Sequence, residues 1–151
     1  LDFIEITTNQ KRKKMNNAPD SFVYNAELTK IIDGDTLRCD LDLGFSVKLH
    51  NQTVRLAGID TPESRINIKR QPERAEEKIL GLEAKERLKE LCSGKFQIRS
   101  LGKGKYGRIL GIPYAEDGKD ICAVLVSEKL ASEYWGGTKT AKIQPDGTWG
   151  E

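Results

Sequence analysis

The stretch "TLRCDLDLG" sets Leu37, Cys39, Leu41 and Leu43 on alternate positions with polar residues between them. Successive strand side chains point to opposite faces, so this period of two builds a strand with one buried and one wet face. No helix can bury that pattern on one side, and it constrains the fold more than any other feature of the chain. Just before it, "AELTKII" reads as a first strand, interrupted by "DGD" at Asp33 to Asp35. Just after it, "FSVKLHNQTVRLAGI" reads as two strand segments around a turn at His50 to Gln52. Phe45, Val47 and Leu49 supply one apolar face there, and Val54 and Leu56 resume on the next strand. The first third is therefore expected to be β-rich, with short antiparallel connections.

From Arg65 to Arg74 the chain is basic, polar and proline-containing, and reads as an exposed loop. The period then changes. Leu80, Ala84, Leu88 and Leu91 in "ERAEEKILGLEAKERLKELCSG" form one helical stripe, with Gly94 as terminator and Gly81 as a point that could split the helix. "KFQIRSL" and "RILGIPYA" read as strands joined by the basic loop "GKGKYG". Asp120 is placed to cap a short helix "ICAVLVSEKL", and an irregular tail begins at "YWGGTK". Strands, a helix, two strands and a helix, with no internal repeat, give an α+β plan, mainly β, of a barrel with helices.

At 151 residues the chain suits one domain, expected over residues 23–151 behind a disordered basic tail at 1–22. The N-terminus does not read as a signal peptide, and Met15 could be a native start, with residues 1–14 a leader or remnant. No run approaches the roughly 18 apolar residues of a membrane span. Cys39, Cys92 and Cys122 have no zinc-binding spacing and read as small, partly buried thiols of a reducing compartment, favouring the cytoplasm, with export from a longer precursor left open. His50 is the single histidine and reads as structural, which argues against hydrolases built on a histidine base. The formal charge of +2 is too small to mark a nucleic-acid binder by itself.

The chemistry concentrates where strands end. Asp-Gly alone is a common turn, but Asp35 in "DGDT" and Asp60 in "LAGIDTPESR" both stand at strand ends. Converging there, two carboxylates would make a hard-oxygen site for Ca2+ or Mg2+ rather than zinc. Arg55 lies just upstream of Asp60, and Arg108 closes the loop "KGKYGR". A guanidinium matches two phosphate oxygens with a fork that stays charged. Singly, each arginine is as readily a surface salt-bridge partner. Together, two arginines, a divalent ion and a spare carboxylate are what phosphodiester hydrolysis needs.

Two other motifs fail on geometry. Glu83-Ala84-Lys85 after Asp60 imitates the Glu-x-Lys signature of restriction-type nucleases, which needs both side chains on one face of a strand. The apolar stripe makes this segment helical, and residues two apart on a helix point about 200° apart. "LGKGKYGR" lacks the Gly-Lys-Ser/Thr ending of a phosphate-binding P-loop. It suits a basic hairpin touching a nucleic-acid backbone, with Tyr106 or Trp135 available for base stacking.

The segments "IIDGDTL", "VRLAGIDTPE", "GLEAKERL", "KYGRILG" and "LVSEKLASEYW" run in the order found in the staphylococcal (micrococcal) nuclease, or thermonuclease-like, family, which the chain resembles from Ala26 to Trp135. The resemblance implies a five-stranded OB-fold barrel with two to three packed helices. It implies Ca2+ held by Asp35, Asp60 and the Thr61 carbonyl, with Glu63 as general base or water-positioner and Arg55 and Arg108 as phosphate clamps. Lys105 and Tyr106 match terminal-phosphate contacts, and Trp135 falls near a base-stacking tyrosine. The implied activity is hydrolysis of DNA and RNA, single-stranded or frayed, to 3′-phosphate products by a monomer without membrane attachment. The segment from Ser64 to Gly81 and the ending "YWGGTKTAKIQPDGTWGE" depart from the family pattern. The rival reading is a non-catalytic OB-fold nucleic-acid-binding module, but Asp35, Arg55, Asp60, Glu63 and Arg108 are all present. On this reading the site ends at Glu63.

Overall fold

The computed structural model describes residues 22–151, so residues 1–21 of the expected N-terminal tail lie outside the described residues. Five strands close into a barrel in the order β1-β2-β3-β6-β5. They are β1 (Val23–Asp33), β2 (Thr36–Gly44), β3 (Val47–Leu56), β5 (Phe96–Lys103) and β6 (Ile109–Tyr114). Their pairings are antiparallel except β3 with β6, which is parallel. The alternation read from the sequence is the barrel interior: Leu37, Cys39 and Leu41 are buried with Ile98 and Ile112. Closure leaves the barrel strands no long free edge, and the strand-poor remainder packs outside. The fold is the mainly-β α+β barrel expected.

Two α-helices are present among the described residues, α1 (Ala75–Leu91) and α2 (Ile121–Ser127). In α1 the stripe holds, with Ala84 and Leu88 fully buried and Leu80 and Leu91 half-buried. Gly81 does not split the helix. It is buried within one continuous α1 because the site loop crosses there: an added Cβ would lie 2.6 Å from the Glu63 carbonyl carbon and oxygen. In α2, Asp120 caps as expected, its carboxylate accepting the Ala123 N–H at 3.1 Å. The helix stops at Ser127, short of the expected Leu130, and Lys129 takes a φ of 59°.

Three expectations change. The β2–β3 turn is at Phe45 and Ser46, whose φ values are 53° and 63°, and not at His50 to Gln52. Residues 50–52 lie inside β3, where Asn51 (φ 52°) bulges and donates its N–H to the Asp40 carboxylate at 2.8 Å. Phe45, Val47 and Leu49 are exposed, because β6 covers β3 only at Val54, Arg55 and Leu56 and leaves the outer hairpin projecting. The three cysteines are fully rather than partly buried.

The remaining strands are short pairs. β4 (Ile59–Asp60) pairs with β7 (Ser132–Glu133), and β8 (Lys142–Ile143) pairs with β9 (Trp149–Gly150) inside the tail expected to be irregular. The segment expected as an exposed loop holds a 3-10 turn at Pro72–Arg74 and buries Ile66. No helix among the described residues is long and apolar enough to cross a membrane.

Candidate active site

The end of β1, the start of β2, the end of β3 and β4 meet at one mouth of the barrel. Register places Thr36 opposite Arg55, and the Leu56 N–H donates to the Asp35 carbonyl at 2.8 Å. The Asp33-Gly34-Asp35 turn is pressed onto α1, since a Cβ on Gly34 would lie 2.7 Å from the Ala84 Cβ. Asp35, Arg55, Asp60, Thr61, Glu63 and Arg108 thereby line one cleft of about 200 Å³. Four separate segments supply them.

Two of these residues are held rigidly. Arg55 donates to the Leu56 carbonyl at 2.7 Å and the Ile59 carbonyl at 2.8 Å, with its Nη2 3.5 Å from Asp35 Oδ2. Those carbonyls fix the plane of the fork while part of it still faces the cleft. Asp35 accepts from the Thr36 hydroxyl at 2.9 Å and the Thr61 N–H at 3.3 Å. Arg108 is half-buried, and its Nε donates to the Lys105 carbonyl at 3.3 Å. Among the described residues it has no carboxylate partner, so its two terminal nitrogens remain for a ligand.

Glu63 is the most open of the cleft carboxylates, with its side chain 40% exposed. Its Oε1 accepts the Arg65 N–H at 3.1 Å, and its own N–H donates to Glu77 Oε2 at 3.2 Å. Glu77 is held in turn by both sides of the Arg74 fork, at 2.9 and 3.1 Å. The base of α1 therefore anchors the backbone at Glu63 while its carboxylate stays near solvent.

The lining of the cleft does not end at Glu63. The Ser64 hydroxyl makes a short hydrogen bond to Asp33, and Arg65 grips Asp33 Oδ2 through Nε at 3.1 Å and Nη2 at 2.8 Å. The Asp33 carboxylate raises the Arg65 pKa further above its ordinary value, so this guanidinium stays charged. Lys139 also enters the cleft, its Nζ 3.0 Å from Asp60 Oδ1. Asp33, Arg65 and Lys139 were not among the residues expected from sequence. Asp33 sits in the same "DGD" that signalled Asp35, and Arg65 follows Glu63 at strand spacing, whereas nothing local marks Lys139.

A second, larger groove of about 670 Å³ adjoins the cleft and shares Arg55, Arg108 and Lys139 with it. Lys105, Tyr134 and Trp135 line this groove. Tyr106 lies in neither space. It stands 95% exposed at the tip of the β5–β6 connection with a φ of 60°.

The cleft is charge-balanced. Asp33, Asp35, Asp60 and Glu63 face Arg55, Arg65, Arg108 and Lys139. Among the described residues no three histidine, cysteine or acidic side chains converge to cage a metal ion. The donors that do face the cleft are carboxylate oxygens with no imidazole or thiolate, which suits a hard cation completed by carbonyl or water oxygens. Asp60, nearly buried, already draws a cation in the form of the Lys139 ammonium. The residues present fit such an ion. A divalent charge added here would turn a neutral cleft positive, matching a phosphodiester.

A family model described as staphylococcal nuclease homologue matches residues 53–145. The match begins inside β3, so Asp33 and Asp35 precede it and join the site through the barrel register. No curated protein matches the chain.

Proposed function

The chain belongs to the staphylococcal nuclease homologue family, and from that premise we propose that it is a Ca2+-dependent nuclease cleaving DNA and RNA to 3′-phosphate products. The observation that carries this reading is the meeting of Asp35, Arg55, Asp60, Glu63 and Arg108 in one cleft. Asp35, Asp60 and the Thr61 carbonyl would hold Ca2+. Bound there, the ion supplies positive charge to a phosphate oxygen and lowers the cost of charge build-up on phosphorus.

The chain's own residues do the rest. Arg55 and Arg108 fork the non-bridging oxygens of the scissile phosphate, each with donors not spent on backbone carbonyls. Their charge favours the pentacoordinate transition state over the tetrahedral ground state. Glu63, partly open to water, orients a water molecule and takes its proton as its oxygen attacks phosphorus. The bond to the 5′-oxygen breaks, that oxygen gains a proton, and the phosphate stays on the 3′ side. The adjoining groove takes the neighbouring nucleotide, with Trp135 offering a stacking face and Lys105 a contact for a terminal phosphate. Tyr106, exposed at the tip of the β5–β6 connection and outside both spaces, takes no part in this arrangement. Stacking on Trp135 needs an unpaired base, which favours single-stranded or frayed substrate.

Incubation with single-stranded DNA, in Ca2+ and in EDTA, tests the reading. Cleavage in Ca2+ that stops on chelation is expected. Robust cleavage in EDTA, or none with any metal, overturns it; binding without cleavage would leave a nucleic-acid-binding module.

A further inference from the structure

Three nearly buried carboxylates face the cleft, and each has its own cation: Asp33 has Arg65, Asp35 has Arg55 and Asp60 has Lys139. The three pairs differ in how firmly the cation is held. Arg65 makes two contacts to one oxygen of Asp33. Arg55 is pinned by two backbone carbonyls besides Asp35. Lys139 has one contact to Asp60 Oδ1 at 3.0 Å and a cation–π contact to the Tyr134 ring, 5.5 Å from its centroid. Its side chain is 57% exposed, and it follows Gly136 and Gly137, which have φ values of 115° and 85°. Of the three cations, Lys139 is the one that can leave.

We propose that Lys139 is a built-in counterion, which neutralises Asp60 in the metal-free protein and is displaced when a divalent cation takes that carboxylate. The proposal rests on the reading of Asp60 as a metal ligand. An ammonium and a divalent ion cannot both occupy Asp60 Oδ1 without strong repulsion at that separation. Metal binding must then break the Lys139–Asp60 pair, which lowers metal affinity by the strength of that pair. The released ammonium is not lost to solvent, because Lys139 also lines the groove shared with Arg55 and Arg108. There it can meet a substrate phosphate, so metal and substrate favour each other's binding through one lysine. Coupling of this kind is reciprocal by thermodynamic necessity.

Calcium titration by calorimetry on the wild-type chain, Lys139→Met and Lys139→Arg tests the idea without recourse to activity. Lys139→Met should bind Ca2+ several-fold more tightly, on the order of fivefold for a partly exposed ion pair. Lys139→Arg, which keeps a cation at Asp60, should not gain. Amine acetylation of the wild-type chain, read by mass spectrometry at Lys139, should quicken when Ca2+ replaces EDTA. The exposure of Lys139 means that neither substitution should disturb the fold, which a melting curve verifies. Equal or weaker Ca2+ affinity in Lys139→Met, while Asp60→Asn abolishes binding, would overturn the counterion role alone. Absence of Ca2+ binding in the wild type and in Lys139→Met would overturn the metal reading and the counterion role with it.

Discussion

The indole N–H of Trp149 donates to the backbone carbonyl of Asp60 across 3.2 Å, joining positions 89 residues apart. Trp149 sits in β9 of the C-terminal hairpin and is 8% exposed. It backs the short strand whose side chain faces the cleft, so the C-terminal segment braces the site from behind. Trp149→Phe keeps part of the ring but removes the donor. A loss of about 1 kcal/mol of stability is expected from one lost buried hydrogen bond. Thermal melting measures that loss, and Ca2+ titration should show weaker binding because Asp60 is less well placed. Unchanged melting and unchanged Ca2+ affinity would remove the bracing role.

Arg55 and Arg108 should respond differently to the same conservative change. Lysine carries one point charge and cannot bridge the Leu56 and Ile59 carbonyls while facing the cleft, as the Arg55 fork does. Arg55→Lys should therefore lower both melting temperature and turnover. Among the described residues Arg108 donates only to the Lys105 carbonyl, so Arg108→Lys should leave melting nearly unchanged. Each should reduce kcat on single-stranded DNA by roughly 100-fold, the scale for losing one transition-state donor. Near-normal kcat in both variants would refute the phosphate clamps.

Gly81→Ala offers a test in which two rules oppose each other. Alanine in a helix interior is favoured over glycine by about 1 kcal/mol. Here the new Cβ would lie 2.6 Å from the Glu63 carbonyl, backbone that has no freedom to turn away. Steric overlap should win, lowering the melting temperature and shifting Glu63 enough to reduce turnover. A stabilised, fully active Gly81→Ala protein would show that α1 does not press on the site loop.

That same glycine shows where sequence reading stops. A glycine within a helical pattern is ambiguous between a break and a close approach, and only the path of residues 63–64 decides it. The barrel strands were legible because Leu37, Cys39 and Leu41 repeat a local period that burial enforces. Asp35, Arg55 and Asp60 were legible because short motifs hold them at strand ends. Their shared cleft follows from register, which places Arg55 opposite Thr36. The sequence suggests a turn at His50 to Gln52 because the bulge at Asn51 mimics one while β3 continues through it. Lys139 and Trp149 left no local signal at all. Their contacts depend on how an aperiodic tail returns to β4.

The cysteines give a pH prediction. Burial pushes the thiols of Cys39 and Cys92 from 9.0 up to about 12, with the charge of Asp40 adding to Cys39 and that of Cys39 adding to Cys92. A thiol raised in this way stays protonated in the folded chain while the unfolded chain releases its proton near pH 9. The folded state thus binds more protons between about 9 and 12, and stability must fall as pH rises through that window. Below about pH 9 both states hold these protons, and the thiols contribute no slope. Denaturant midpoints should therefore show no thiol-dependent change from pH 7 to 8.5 and a decline from pH 9.5 upward. Replacing both residues with alanine should flatten that decline, even though the cavities lower stability at every pH. At neutral pH the native thiols should resist a disulfide reagent such as Ellman's and react in full once urea unfolds the chain. Rapid native-state labelling of either cysteine, or an alkaline decline unaltered by the double replacement, would refute this account.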